Sequence, residues 1–167
     1  MNYTNKNVLK LAYGAVTAAM YVVLVLLFKP ISYGDIQLRV AEVLCILPIF
    51  TGSAVPGLFI GCLLSNILTG APMGDIVFGS MATLIGAYGT YMLRNQKRIA
   101  WIPPVVSNAV IVPFILKFSY GLENLIPFMM LTVGAGEIIS IGIFGNIFRA
   151  VLEKQKGRIF IDEVRAS

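Results

Sequence analysis

Residues 33–69 read YGDIQLRVAEVLCILPIFTGSAVPGLFIGCLLSNILT, and the fold turns on whether they make one membrane crossing or two. The chain is apolar over 36–50 and again over 54–69, and the link TGSAVPG (51–57) supplies glycine and proline where a helix would break. Each half is shorter than the about 20 helical residues of a full crossing, so length alone does not decide.

Charge decides. Further apolar segments cover 8–28, 74–93, 101–118 and 125–149, which makes six in all. Lys6 and Lys10 precede the first; Arg94, Lys97 and Arg98 follow the fourth; Arg149, Lys154, Lys156, Arg158 and Arg165 close the chain. These are ten of the thirteen basic residues, and basic residues favour the cytoplasmic side of a membrane. All three clusters share one side only when an even number of crossings separates them. A single crossing over 36–69 breaks that parity. Six crossings with both termini cytoplasmic satisfy it, and a re-entrant hairpin over 36–69 preserves it too.

The composition agrees. The chain is 57% hydrophobic and 13% charged over 167 residues, against about 25% charged in ordinary soluble domains. It is read as an all-α integral membrane protein, one transmembrane domain over 1–167. The first apolar run is too long for a signal-peptide core and has no small-residue cleavage site. RNQKR (94–98) is a cytoplasmic loop, and no nucleic-acid partner is implied. The residues after 152 form a short solvated tail. Cys45 and Cys62 sit in apolar runs as small hydrophobes. With no histidine, no metal cluster or Ser–His–Asp set is expected, and no Walker phosphate loop is present. The chain is not expected to be an enzyme or to need a cofactor.

Polar residues nevertheless enter the spans: Arg39, Glu42, Asn66, Asp75, Asn108, Glu137 and Asn146. An ionisable group in a membrane costs about 2.5–3.5 kcal/mol on insertion scales and usually faces a cavity or a partner. Arg39 and Glu42, three apart, are expected to compensate each other on one helix face. The pair either anchors the outer end of the second helix or forms a pocket wall, with Gln37 adding an amide. Glu137, near mid-membrane in TVGAGEIISIG (132–142), either contacts a ligand or bonds another helix. Asn108, after Pro103 and Pro104, carries the same two readings. Asp75 either satisfies amides at a helix start or meets a ligand. Tyr33 and the segment from Phe118 to Tyr120 are placed to cover a flat ligand, or to sit in an interfacial aromatic belt. Ala15 and Ala19, beside Gly14 and Ala18, make a small-residue face that suits internal packing or the docking of another membrane subunit.

DIQLRVAEVLCILPIF (35–50), AVPGLFIGCLLSNIL (54–68) and GDIVFGSMATLIGA (74–87) together resemble the QueT family of queuosine-precursor transporters. The resemblance extends over about 8–149, and its most specific part is the Gln-x-Arg-x-x-Glu entry to the second helix. Members of that family are substrate-binding S components of energy-coupling factor (ECF) importers. The resemblance implies a six-helix bundle in a bacterial plasma membrane, with both termini cytoplasmic. It also implies a ligand site near the outer surface capped by residues 29–36, and a membrane coupling subunit docked on Ala15 and Ala19. Two cytoplasmic ATPases would supply the energy. The implied substrate is a 7-deazaguanine such as queuine or its aminomethyl or cyano precursor. Glu137 or Glu42 would take the ring's N–H donors, Asn108, Gln37 or Arg39 its carbonyl, and Asp75 an aminomethyl cation. Two other readings stay open: an S component for another vitamin-like heterocycle, and a structural or assembly membrane protein.

Overall fold

The computed structural model describes residues 3–32 and 39–160, and among them there is helix and turn but no strand. Helix 1 spans Tyr3–Ser32, helix 2 Val40–Ile49, helix 3 Ala54–Thr69 and helix 5 Ile102–Phe118. Helix 4 (75–92) opens with a π-wound turn, Asp75–Gly79, and continues as the α-helix Ser80–Met92. Helix 6 (126–159) is α to Glu137, π-wound over Ile138–Gly145 and α again over Asn146–Ile159. The six expected segments thus each contain a helical rod.

Helix 2 explains how so short a segment crosses the bundle. It is a 3₁₀ helix of ten residues. A rise of about 2.0 Å per residue carries it roughly 20 Å, where α winding would give roughly 15 Å. It therefore runs from Arg39 at one end of the bundle to Phe50 at the other, and does not turn back inside it. Nearly every residue of it is buried, because helices 1, 4 and 6 pack around it with further contact from helix 3.

Contacts at the two ends sort the connections. At one end the Lys29 Nζ donates to the Thr69 carbonyl at 3.1 Å, and Arg39 lies beside Asp75. At the other end the Tyr13 hydroxyl donates to the Ile159 carbonyl at 2.6 Å, and Lys97 pairs with Glu153 at 2.9 Å. Phe160 stacks on Phe50 there, with centroids 5.4 Å apart. The basic loop 94–98 and the end of helix 6 therefore share one end, as charge parity requires. The expected solvated tail is corrected in part: helix 6 continues through Ile159, and Phe160 is buried against Tyr13 and Phe50.

Small residues bring helices 1 and 3 together. A Cβ on Gly57 would lie 2.5 Å from the Gly14 carbonyl oxygen, and one on Gly61 would lie 2.8 Å from the Tyr21 Cβ. Only glycine permits this backbone approach. Gly14 and Ala18 are thus spent on internal packing, while Ala15 and Ala19 stay exposed on the outside.

The bundle is apolar outside and partly polar within. Leu27, Leu68, Phe118, Leu125 and Leu131 are largely exposed, whereas Glu42, Thr83, Thr90, Asn108, Glu137 and Ser140 are wholly buried. A soluble monomer rarely exposes so much contiguous apolar surface; hydrocarbon covers it without cost. Two helices, Lys6–Lys29 and Ile126–Gln155, are long and apolar enough to cross a membrane, and Val40–Ile49, Ala54–Thr69 and Ile102–Phe118 are shorter apolar helices.

Candidate functional site

A cavity of about 770 Å³ opens at the Lys29–Thr69 end, within the range of small-molecule sites. Helix 1 contributes Tyr21 and Lys29, the entry to helix 2 Arg39, helix 3 Asn66, and helix 4 Asp75. Tyr120, just past helix 5, and apolar side chains of helices 5 and 6 complete the wall.

Asp75 organises the polar side. It sits in the π-wound first turn of helix 4, where Gly79, one turn on, has no Cβ to collide with its Oδ1. The Tyr120 hydroxyl donates to its Oδ2 at 2.7 Å, and the Asn66 Nδ2 donates to its backbone carbonyl at 3.0 Å. The Arg39 Nη2 stands 4.0 Å from Oδ1. That is an ion pair but too long for a hydrogen bond. Arg39 Nη1 and Asp75 Oδ1 are both buried with no hydrogen-bond partner among the described residues.

Two sequence expectations are corrected here. Arg39 forms its ion pair across the bundle with Asp75, while Glu42 on helix 2 stays within Coulomb reach but makes no ion pair with it among the described residues. Arg39 precedes the first helical turn, with φ −86° and ψ 83°, so the shared helical face that would align it with Glu42 does not exist. The Asp75 carboxylate takes no helix amide among the described residues: Oδ2 accepts from Tyr120, and Oδ1 has only Arg39 beside it.

Below the cavity lies a second polar layer. Glu42 is wholly buried and accepts from the Tyr21 hydroxyl at 2.6 Å, the Cys45 thiol at 2.9 Å and the Thr83 hydroxyl at 3.4 Å. The Asn108 Nδ2 donates to Glu137 Oε1 at 2.9 Å, while Asn108 Oδ1 and Glu137 Oε2 have no hydrogen-bond partner among the described residues. Glu42, Asn108 and Glu137 do not line the cavity. Asn108 is one helical turn below the lining residue Val112, and Glu137 two turns below Met129. The layers are electrically joined, since Arg39, Glu42 and Glu137 lie close enough for mutual Coulomb interaction.

The structure therefore brings Arg39, Asp75 and Tyr120 together at the cavity and sets Glu42, Asn108 and Glu137 beneath it. Phe118 points away, largely exposed. Tyr33 and Gln37 lie outside the described residues. Tyr21 and Thr83 belong to the site but were not among the expected site residues; Lys29 was expected only as the start of the cap and Asn66 only as a polar residue within a span. The available signal for Tyr21 was its hydroxyl in the middle of a largely apolar span, since a buried tyrosine O–H needs a partner.

A helical bundle with an apolar exterior and, at one end, a ligand-sized cavity with one polar side belongs to the class of small-molecule membrane proteins. The family model described as QueT transporter matches residues 11–154, nearly the whole chain, and the chain belongs to that family. It is also similar to a protein of Lactococcus lactis subsp. cremoris (strain MG1363) named "Queuosine precursor transporter QueT", at 37% identity over 73 residues. That match covers 42% of this chain and 43% of the relative, so it spans less than half of either. No solved structure matches.

Proposed function

We propose that the chain is the substrate-binding S component of an ATP-driven ECF importer and takes up a queuosine precursor, queuine or an aminomethyl or cyano 7-deazaguanine. On this reading it crosses a bacterial plasma membrane six times with both termini cytoplasmic. The observation that carries the proposal is the cavity, polar along one side, at the end opposite the basic loop 94–98. A positive-inside orientation turns that mouth outward. Membership of the QueT transporter family and the name of the Lactococcus relative support the substrate class. The family resemblance assigns the cap to residues 29–36 and counts Tyr33 and Gln37 among the substrate-binding residues. Arg39, Asp75 and Tyr120 contact the ligand directly, and Glu42, Asn108 and Glu137 act from beneath. The exposed Ala15 and Ala19 receive the coupling subunit, and two cytoplasmic ATPases hydrolyse the nucleotide.

The test is thermal unfolding of the purified chain in detergent with queuine, its two precursors, guanine, thiamine and riboflavin. A ligand at a hundred times its dissociation constant adds about 2.7 kcal/mol, or about 5–11 °C for a chain of this size. Stabilisation by deazaguanines alone is the expected result. A shift with thiamine or riboflavin alone would reassign the ligand, and no shift with any compound would favour a structural role.

A further inference from the structure

The proposed function leaves open which group on the ligand the site recognises, and the cavity wall addresses that. Among the described residues, two buried groups of its polar side have no hydrogen-bond partner: the acceptor Asp75 Oδ1 and the donor Arg39 Nη1. The carboxylate is fixed from behind: Tyr120 holds Oδ2 at 2.7 Å, Asn66 holds the backbone of the same residue, and Gly79 leaves room for Oδ1. Asp75 is only 6% exposed, so this is a built group and not a surface charge. The 4.0 Å between guanidinium and Oδ1 is too wide for the two to satisfy each other. A carbonyl and an N–H on adjacent ring atoms stand roughly 2.3 Å apart, from standard bond lengths. Two slightly splayed hydrogen bonds from such an edge fit the wider spacing of Arg39 and Asp75.

We infer that Arg39 and Asp75 together read a lactam edge, the guanidinium donating to the ring carbonyl and Asp75 Oδ1 accepting from the neighbouring ring N–H. This rests on the proposed function and deepens it. It also moves Asp75 from capturing a ligand cation to reading the ring itself. A cation placed at Oδ1 would stand against the Arg39 guanidinium, and Lys29 is a second positive charge on the same wall. A neutral donor–acceptor edge meets no such repulsion.

The experiment compares two bases differing at one atom: 7-deazaguanine, with the carbonyl, and 7-deaza-2,6-diaminopurine, with an amino group in its place. Binding to the full chain in detergent is measured by calorimetry. The amino compound turns a donor toward Arg39 and leaves the adjacent ring nitrogen without its hydrogen. It should bind at least a hundredfold more weakly, because a site built for a hydrogen bond rejects the analogue that cannot make it. Arg39→Gln, whose amide both donates and accepts, should narrow that ratio at least tenfold. A merely structural role for Arg39 would weaken both compounds alike and leave the ratio unchanged. Equal binding of the two bases to the wild-type chain overturns the inference while leaving a deazapurine carrier intact. Failure of queuine and every deazaguanine to bind overturns the proposed function, and this inference with it. The wild-type comparison stands even where Arg39→Gln does not fold.

Discussion

Tyr21→Phe isolates the contribution of the deeper polar layer. The substitution keeps the ring that lines the cavity and removes one hydroxyl. That hydroxyl donates to Glu42 Oε1 at 2.6 Å in a buried setting, and after its loss the contact left to Oε1 among the described residues is the long 3.4 Å one with Thr83. Leaving a buried acceptor without its donor costs about 1–3 kcal/mol. In a chain of this size each kcal/mol moves the midpoint about 2–4 °C, so a loss of about 2 kcal/mol predicts a drop of about 4–8 °C. The measurement is thermal unfolding in detergent followed by circular dichroism, beside Tyr120→Phe as a control. Tyr120 also bonds a carboxylate, at 2.7 Å, but on the wall of the open cavity, where water replaces the lost donor, so the control should shift less. A Tyr21→Phe midpoint within about 1 °C of wild type would refute the claim that helix 1 is tied to helix 2 through Glu42.

Glu137→Leu should lower stability by about 1–3 kcal/mol because it strands the Asn108 amide donor in the core, whereas Glu137→Gln, which can still accept from it, should cost clearly less in the same unfolding assay. Phe160→Ala removes a buried ring stacked on Phe50 and should cost about 3 kcal/mol, visible as faster proteolysis of the C-terminal segment. Gly57→Leu should prevent the close approach of helices 1 and 3 and destabilise the isolated chain by about 1–3 kcal/mol. Ala19→Leu, on the exposed side of helix 1, should leave the unfolding midpoint unchanged and, on the proposed function, abolish co-purification with the coupling subunit.

The apolar blocks and the parity of the basic clusters made the six rods and their alternation legible in the sequence, because both follow from transfer energies that act residue by residue. Partnerships between helices were another matter. Asp75 looked like a helix cap and Arg39 like the neighbour of Glu42, since both expectations assumed regular α winding from the first turn. Asp75 instead begins a π turn and Arg39 precedes a 3₁₀ helix, and neither winding has a composition signature. The burial of Glu42, Asn108 and Glu137 below the cavity likewise depends on how deep each helix sits in the bundle, which spacing along one chain does not encode. The small residues of helix 1 were legible as a face for internal packing or for docking, but which stripe faces inward followed only from Gly57 and Gly61 across the crossing.

The tight winding of helix 2 has a consequence for variation along the chain. Three residues complete each turn, so the segment is a prism with three flat sides, and Glu42 stands directly over Cys45, whose thiol bonds it. A deletion of one residue would swing everything beyond it by roughly 120°, taking the glutamate's thiol partner off its side. Already drawn out to reach both ends, the segment has little slack left to absorb the loss by stretching. Length between residues 40 and 49 is therefore constrained more severely than the identity of most side chains within it.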